Sequence, residues 1–319
     1  MNIFPQKVSF QSFDGVSNVS GVIYKPDTDN IKGVVQIIHG MAEHILRYDD
    51  FAGFLIKNSF VVFGCDHIGH GRSVSSKDDY GYFGHEDGCS VMVEDTRKLS
   101  FLVRQKYPDV PFFILGHSMG SFVLRKYITK YSDGLSGVVI SGTGGANPLA
   151  KIGMTLAKRD VKKNGDRNKS EFLDKMAFGS YNKAIENPKT KFDWLTRDEK
   201  IVDEYVQDDA CGYIFTSSAF LSLLKIMYDV NTDSWYDEVP KKLPILMISG
   251  EEDPVGNYGK GVKKVYEKLR EAGIEDLDMI LYEGGRHEML NEINRAQVYD
   301  DILGWITKRC EKTRSKVLV

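Results

Sequence analysis

Two hydrophobic rhythms alternate along this chain. The runs "GVVQIIHG" from Gly33, "FVVFGCDH" from Phe60, "PFFIL" from Pro111, "LSGVVISG" from Leu135 and "LPILMISG" from Leu243 are almost unbroken. Continuous apolar runs of this length mark parallel strands covered by helices on both faces. Between them the period lengthens to that of a helix. "YDDFAGFLIKN" is one such segment, and a longer one surrounds "VMVEDTRKLSFLVRQKY", predicting Leu99, Leu102 and Val103 on one face. Further helices are predicted after Gly120, from about Tyr258 to Ala272, and at the end of the chain on Tyr299, Ile302, Leu303 and Ile306. "LDMILYEGG" adds a strand, and the start reads as two short strands, "KVSFQSF" and "VSGVIYK", joined by a turn at Asp14-Gly15 and Ser17-Asn18. The alternation predicts an α/β protein with a mostly parallel, doubly wound sheet. Crossover handedness then places helices on both faces and functional loops at the carboxyl ends of the strands.

The alternation breaks between residues 144 and 236. This stretch has a short amphipathic segment with Leu149, Ile152 and Leu156, a charged spacer "KRDVKKNGDRNKSEF", and an apolar helix in "IFTSSAFLSLLKIMYDV". It reads as a helical cap inserted between the fourth and fifth parallel strands, with residues 1–143 and 237–319 forming the core. That position lies above the edge where ligands bind. In the cap, Phe215, Phe220, Leu221, Leu224 and Met227 make an apolar stripe that suits packing, an acyl-chain channel, or both. Trp194, Arg197 and Asp198 in "FDWLTRDEK" are candidates to anchor the cap through a salt bridge.

Composition narrows the class further. The 319 residues are 42% hydrophobic and 27% charged, with a mean hydropathy of -0.30, as expected of a globular protein. A net charge of -3 and a pI near 6.2 give no electrostatic footprint for nucleic acid. No stretch approaches the ~20 apolar residues of a membrane span, and the start lacks the charged and apolar regions of a signal peptide. Cys65, Cys89, Cys211 and Cys310 are scattered without a C-x-x-C pair, which predicts buried free thiols in a reducing compartment. A cytoplasmic location follows as an expectation. The basic end "KRCEKTRSKVLV" reads as a solvated helix end and frayed tail.

The chemistry centres on "GHSMG". Gly116-His117-Ser118-Met119-Gly120 fits G-x-S-x-G, a sharp strand-to-helix turn that holds a nucleophilic serine at its tip. "PFFIL" directly before it and a helical pattern directly after it supply the required context. Serine needs a base, and the base an orienting acid, in the chain order serine, acid, histidine. One histidine follows Ser118, namely His287 in "EGGRHEML". For the acid, "SGEEDPVG" offers Glu251, Glu252 and Asp253. Asp253 is favoured, because Pro254 sets an extended conformation before it and turns the loop toward the histidine. Backbone N–H groups of Met119 and of Met41, in the loop after "VVQIIHG", are the expected oxyanion donors.

With these residues in place the chain resembles the α/β-hydrolase superfamily, and within it the monoacylglycerol lipase and lysophospholipase-like branch of serine hydrolases. The resemblance rests on "HGMAEH", "DHIGHGRS", "GHSMG", "SGEEDPVG" and "GGRHEML", which span the predicted sheet in family order. It implies an α/β-hydrolase fold with a cap, and it places nucleophile, acid and histidine on Ser118, Asp253 and His287 and the oxyanion donors on Met41 and Met119. The implied reaction is hydrolysis of monoacylglycerols, lysophospholipids or short acyl esters without a cofactor, with transient membrane-surface contact through the cap. The same branch uses His39, His44, His67 and His70 to shape the oxyanion loop and neighbouring turn, and no metal site is expected there. A proline-iminopeptidase-like aminopeptidase or a thioesterase is the alternative on this scaffold, with Asp208 and Asp209 as candidates to hold a substrate ammonium. A non-catalytic ligand receptor on the same fold is the third reading.

Overall fold

The elements of the chain run β1 (Gln6–Gln11), β2 (Asn18–Tyr24), β3 (Gly33–Ile38), α1 (Asp49–Lys57), β4 (Phe60–Cys65), α2 (Gly88–Arg104), β5 (Phe112–His117), α3 (Met119–Tyr131) and β6 (Gly137–Ser141). After them come α4 (Ala150–Asn164), α5 (Glu171–Phe178), α6 (Glu199–Gln207), α7 (Ser217–Asp229) and α8 (Asp233–Glu238), then β7 (Ile245–Gly250), α9 (Lys260–Glu271), β8 (Leu277–Tyr282) and α10 (Arg295–Val317). The computed structural model describes residues 5–84 and 87–317. The extreme end of the basic tail, residues 318–319, lies outside the described residues.

Among the described residues one eight-stranded sheet has the order β1-β2-β4-β3-β5-β6-β7-β8. Only β2 runs against its neighbours, pairing antiparallel with β1 and β4, while β3 through β8 are parallel. The unbroken apolar runs have a direct cause. Successive residues of a strand point to opposite faces, and here each face meets its own helix layer. Val34, Ile114, Val138 and Met247 enter one core cluster, and Val35, Leu115, Val139 and Leu246 enter the other. β5 pairs with β3 on one side and β6 on the other, Leu115 lying opposite both Ile37 and Val139. Its carboxyl end is therefore held from both sides.

Two expectations about the helices are corrected. In α2, Leu99 and Val103 are buried, but Leu102 is 42% exposed. At 100° per residue Leu99 and Val103 are 40° apart, while Leu102 falls on the far flank; Met92, Thr96 and Ser100 complete the buried face instead. The charged stretch from Lys158 to Phe172 is not a plain spacer either. Helix continues through Asn164, stops at Gly165 (φ 90°), and resumes as α5 with the Ser170 hydroxyl accepting from Leu173 N–H. Lysine and arginine are good helix formers whose charges stay in water.

Helices α4 to α8 occupy the connection between β6 and β7. One guanidinium holds both ends of it. Arg125 of α3 is completely buried; it donates to Thr143 Oγ1 (3.3 Å) and Gly144 O (3.0 Å) where the connection leaves the sheet. It also donates to Val230 O and to Asn231 Oδ1 (3.0 Å) near the return, and its guanidinium lies 4.5 Å from the Trp235 ring.

Candidate active site

β5 ends at His117, and Ser118 follows with φ 51° and ψ -120°. Positive φ in a non-glycine residue costs about 1–3 kcal/mol and is sustained by its surroundings. Here the turn is locked by Ser118 N–H donating to Ser141 O (3.0 Å), and by Ser121 N–H and Oγ donating to Ser118 O (2.8 and 2.6 Å). The flanking glycines are required sterically. A Cβ on Gly116 would stand 2.5 Å from Gly120 O, and one on Gly120 would stand 2.2 Å from Ile38 O.

Asp253 follows β7 and His287 follows β8, so both project from the same sheet edge as Ser118. Asp253 is fully buried and both its oxygens lie 3.0 Å from His287 Nδ1. Ser249 Oγ (3.2 Å) and Val255 N–H (2.8 Å) donate to the same carboxylate and fix its plane. Glu251 and Glu252 are exposed. The His287 ring lies between His117 (centroids 4.7 Å apart) and Trp194 (5.0 Å). Burial works against a charge on His287, but the Asp253 carboxylate outweighs it and raises the imidazole above its ordinary 6.5. His117 has no such partner; burial and the nearby His287 push it down to about 3, so it stays neutral.

Ser118, His287, Met41 and Met119 line one cavity of about 450 Å3. Met41 lies in the loop after β3, which approaches the serine closely enough that a Cβ on Gly40 would be 3.1 Å from Ser118 Cβ. Phe178, Phe220, Leu223, Leu224 and Met227 give the cavity a long apolar wall. The arrangement can support acyl transfer: a serine, an oriented imidazole and the two residues expected to supply backbone amides border one cavity lined mostly by apolar side chains.

Comparison with known proteins decides the family. The family model described as serine aminopeptidase, S33 matches residues 29–294. The chain belongs to this family. Its relatives include a monoacylglycerol lipase of Mycolicibacterium smegmatis, 28% identical over 93% of this chain and 96% of that protein. A monoglyceride lipase of Mus musculus is 27% identical over 96% of this chain and 93% of its own. Among solved structures, a highly thermostable carboxyl esterase from Bacillus coagulans, in complex with glycerol, superposes with a TM-score of 0.90 at 32% identity, covering 97% of this chain and 100% of that one. The S33 protein described here is thus an α/β-hydrolase of the monoacylglycerol lipase-like branch and a carboxylic-ester hydrolase.

Other sequence-based candidates fall elsewhere in this S33 fold. Asp208 accepts from His44 Nε2 (2.8 Å) and Asp209 pairs with Lys77; neither lines the cavity of Ser118, so they are not placed to hold a substrate ammonium. In the α7 stripe, Phe220, Leu224 and Met227 reach the cavity, whereas Phe215 packs on His70 and Phe83. Arg197 pairs with Glu292 and Asp198 with Arg295, both at 2.9 Å, tying the connection to the start of α10. His39, His67 and His70 are buried together, His39 Nε2 accepting from His67 N–H (2.9 Å).

Sequence reasoning missed a buried network bordering the site. Glu43 accepts from Gly40 N–H (2.5 Å), from Tyr48 OH (2.8 Å) and from Arg47 (2.7 Å). Arg47 also forms a two-pronged pair with Glu288 (2.6 and 2.7 Å). One guanidinium thus links the loop of Met41 to the loop of His287. Burial opposes ionisation of Glu288, but Arg47 overcomes it and lowers the carboxyl, while burial raises that of Glu43. The i, i+4 spacing of Glu43 and Arg47 was the available signal; Glu288, 241 residues from Arg47, offered none.

Proposed function

We propose that Ser118 is the nucleophile of this ester hydrolase, His287 its general base and acid, and Asp253 the group that orients the imidazole. Ser118 Oγ bonds to the acyl carbon as its proton passes to His287 Nε2. The carbonyl oxygen takes the negative charge and accepts from the Met41 and Met119 amides. Collapse of the tetrahedral intermediate expels the alcohol, which takes the proton from His287. Water, deprotonated by the same imidazole, then releases the carboxylic acid. The observation that carries this reading is the His287–Asp253 contact at 3.0 Å, with His287 lining the same cavity as a serine at φ 51°.

The substrate we propose is a monoacylglycerol or a similar single-chain ester. The apolar wall suits an acyl chain, with each buried methylene contributing ~0.8 kcal/mol. The names of the lipase relatives and the glycerol bound by the Bacillus coagulans esterase point the same way. Residues 144–236 would act as a lid between core segments 1–143 and 237–319. Around its mouth Leu149, Ile152 and Met176 line the cavity yet are 45–64% exposed, and Phe172 nearby is 60% exposed. That rim supports transient contact with a membrane surface. No described helix is long and apolar enough to cross a membrane. Four buried thiols without a disulfide support a cytoplasmic setting.

Turnover of a monoacylglycerol, p-nitrophenyl butyrate and proline p-nitroanilide by the wild-type protein tests the assignment. Ester turnover with fluorophosphonate labelling at Ser118 is expected. Faster cleavage of the anilide would favour the aminopeptidase reading, and no labelling the non-catalytic one.

A further inference from the structure

A second cavity, of about 210 Å3, has His44, Arg47, Tyr205, Asp208 and Cys211 in its lining. Tyr205 borders both cavities, but Ser118, His287 and Met41 do not reach the second. Three donor types converge there. A His44 ring nitrogen, an Asp208 carboxylate oxygen and Cys211 Sγ lie within 4.8 Å of one another. His44 sits three residues beyond Met41, immediately before the turn Ile45–Tyr48, while Asp208 and Cys211 belong to the turn that ends α6. That turn is itself fixed, since Cys211 N–H donates to Asp208 O (2.9 Å) and Ala210 N–H to Asp208 Oδ1 (2.8 Å). Oδ2 faces His44 Nε2 at 2.8 Å.

We propose that His44, Asp208 and Cys211 form a binding site for a zinc-type divalent cation, separate from the catalytic centre, that joins the oxyanion loop to the inserted helices. Imidazole, carboxylate and thiolate together suit Zn2+ or Co2+, whereas Ca2+ and Mg2+ take oxygen donors. Bonds of about 2.0–2.3 Å in a tetrahedron put donors roughly 3.3–3.8 Å apart, so the set closes on an ion with about an ångström of adjustment. The adjoining cavity of about 210 Å3 has room for a water as fourth ligand.

On binding, Cys211 releases its thiol proton to solvent and its thiolate bonds to the ion. The neutral His44 ring shifts its proton from Nε2, where it faces Asp208, to Nδ1, and gives the freed Nε2 lone pair to the metal. Two anionic donors then balance the dication. The neighbouring Arg47 does not oppose this strongly, because Glu43 and Glu288 already neutralise it at 2.6–2.7 Å.

Cobalt titration of the purified, metal-free protein tests the site, with the Ser118→Ala, Cys211→Ala and His44→Gln variants in parallel. Wild type and Ser118→Ala should each take up one equivalent and show a thiolate-to-cobalt charge-transfer band that zinc abolishes. Cys211→Ala should lose the band, and His44→Gln should weaken binding about tenfold or more. Zinc should also raise the thermal midpoint of the wild type by mass action. X-ray absorption of the zinc-loaded wild type, expected to show one sulfur among lighter donors, gives a readout that needs no variant. Absence of the thiolate band in the wild type, its persistence in Cys211→Ala, or a zinc shell without sulfur would overturn the proposal. Loss of ester turnover in Ser118→Ala with cobalt uptake intact keeps the outcome independent of the catalytic assignment.

Discussion

The sheet and the helices inserted into it are held by different physics. Strands β3 through β7 bury every residue, and their side chains divide cleanly between two cores. In α4, by contrast, only Ala150, Gly153 and Ala157 are buried, and Leu149 and Ile152 beside them face outward. The rest of the insertion is anchored in two ways: α7 adds Phe220, Leu223 and Ile226 to the main core, and polar ties come from Arg125 at the two ends and from Arg197–Glu292 and Asp198–Arg295 along the side. A sheet buried on both faces has one good packing. An element with few buried side chains, such as α4 or α5, has lower local stability and opens more readily. The rigid region carries the proposed chemistry, and the looser one frames the way in.

Several substitutions would break or sharpen this contrast. The largest effect is expected at Ser118. Ser118→Ala should lower kcat by roughly 10⁴-fold or more without lowering the thermal midpoint. Ser118→Gly should be equally inactive but about 1 kcal/mol more stable in urea denaturation, because glycine accepts the positive φ. Next comes Asp253→Asn, expected to cost about 10³- to 10⁴-fold in kcat. In the wild type His287 must be neutral to act as base and its pKa is raised, so kcat/KM should rise with pH through an inflection above 6.5. Removing the carboxylate leaves burial dominant, and the inflection should move down. An unchanged inflection would count against the pairing.

On the polar side, Arg125→Met should destabilise the protein by about 3 kcal/mol, read from the denaturant midpoint, because Gly144 O and Val230 O lose their donor while buried. Smallest is Phe172→Ser, on the exposed rim. It should reduce turnover of vesicle-borne monoacylglycerol about two- to threefold through lost surface contact, with hydrolysis of p-nitrophenyl butyrate unchanged.

What could be read from the sequence follows the same division. The strand runs announced themselves because both faces demand apolar side chains, and their ends fell within a residue or two of those observed. G-x-S-x-G was legible because backbone crowding leaves only glycine at Gly116 and Gly120. The insertion was harder. α4 meets α7 closely at Gly153, where a Cβ would stand only 3.2 Å from Leu224 Cδ1, while the conspicuous Leu149 and Ile152 line the cavity largely exposed and stay out of the core. Asp208 looked available for an ammonium because one-dimensional reading cannot see His44, 164 residues away, already bonded to it. The Glu43–Arg47–Glu288 network was hidden for the same reason.

The closeness of the loop after β3 to the serine turn has an evolutionary corollary. Gly120 lies nearly against the carbonyls of Ile38 and His39, and Gly40 against the side chains of Glu43 and Ser118, with no room at either for a further side chain. The proposed oxyanion pocket is thereby insulated from most drift in neighbouring residues, while the helices of the insertion remain free to diversify. New ester preferences can then arise by rewriting the insertion, without rebuilding the machinery beneath.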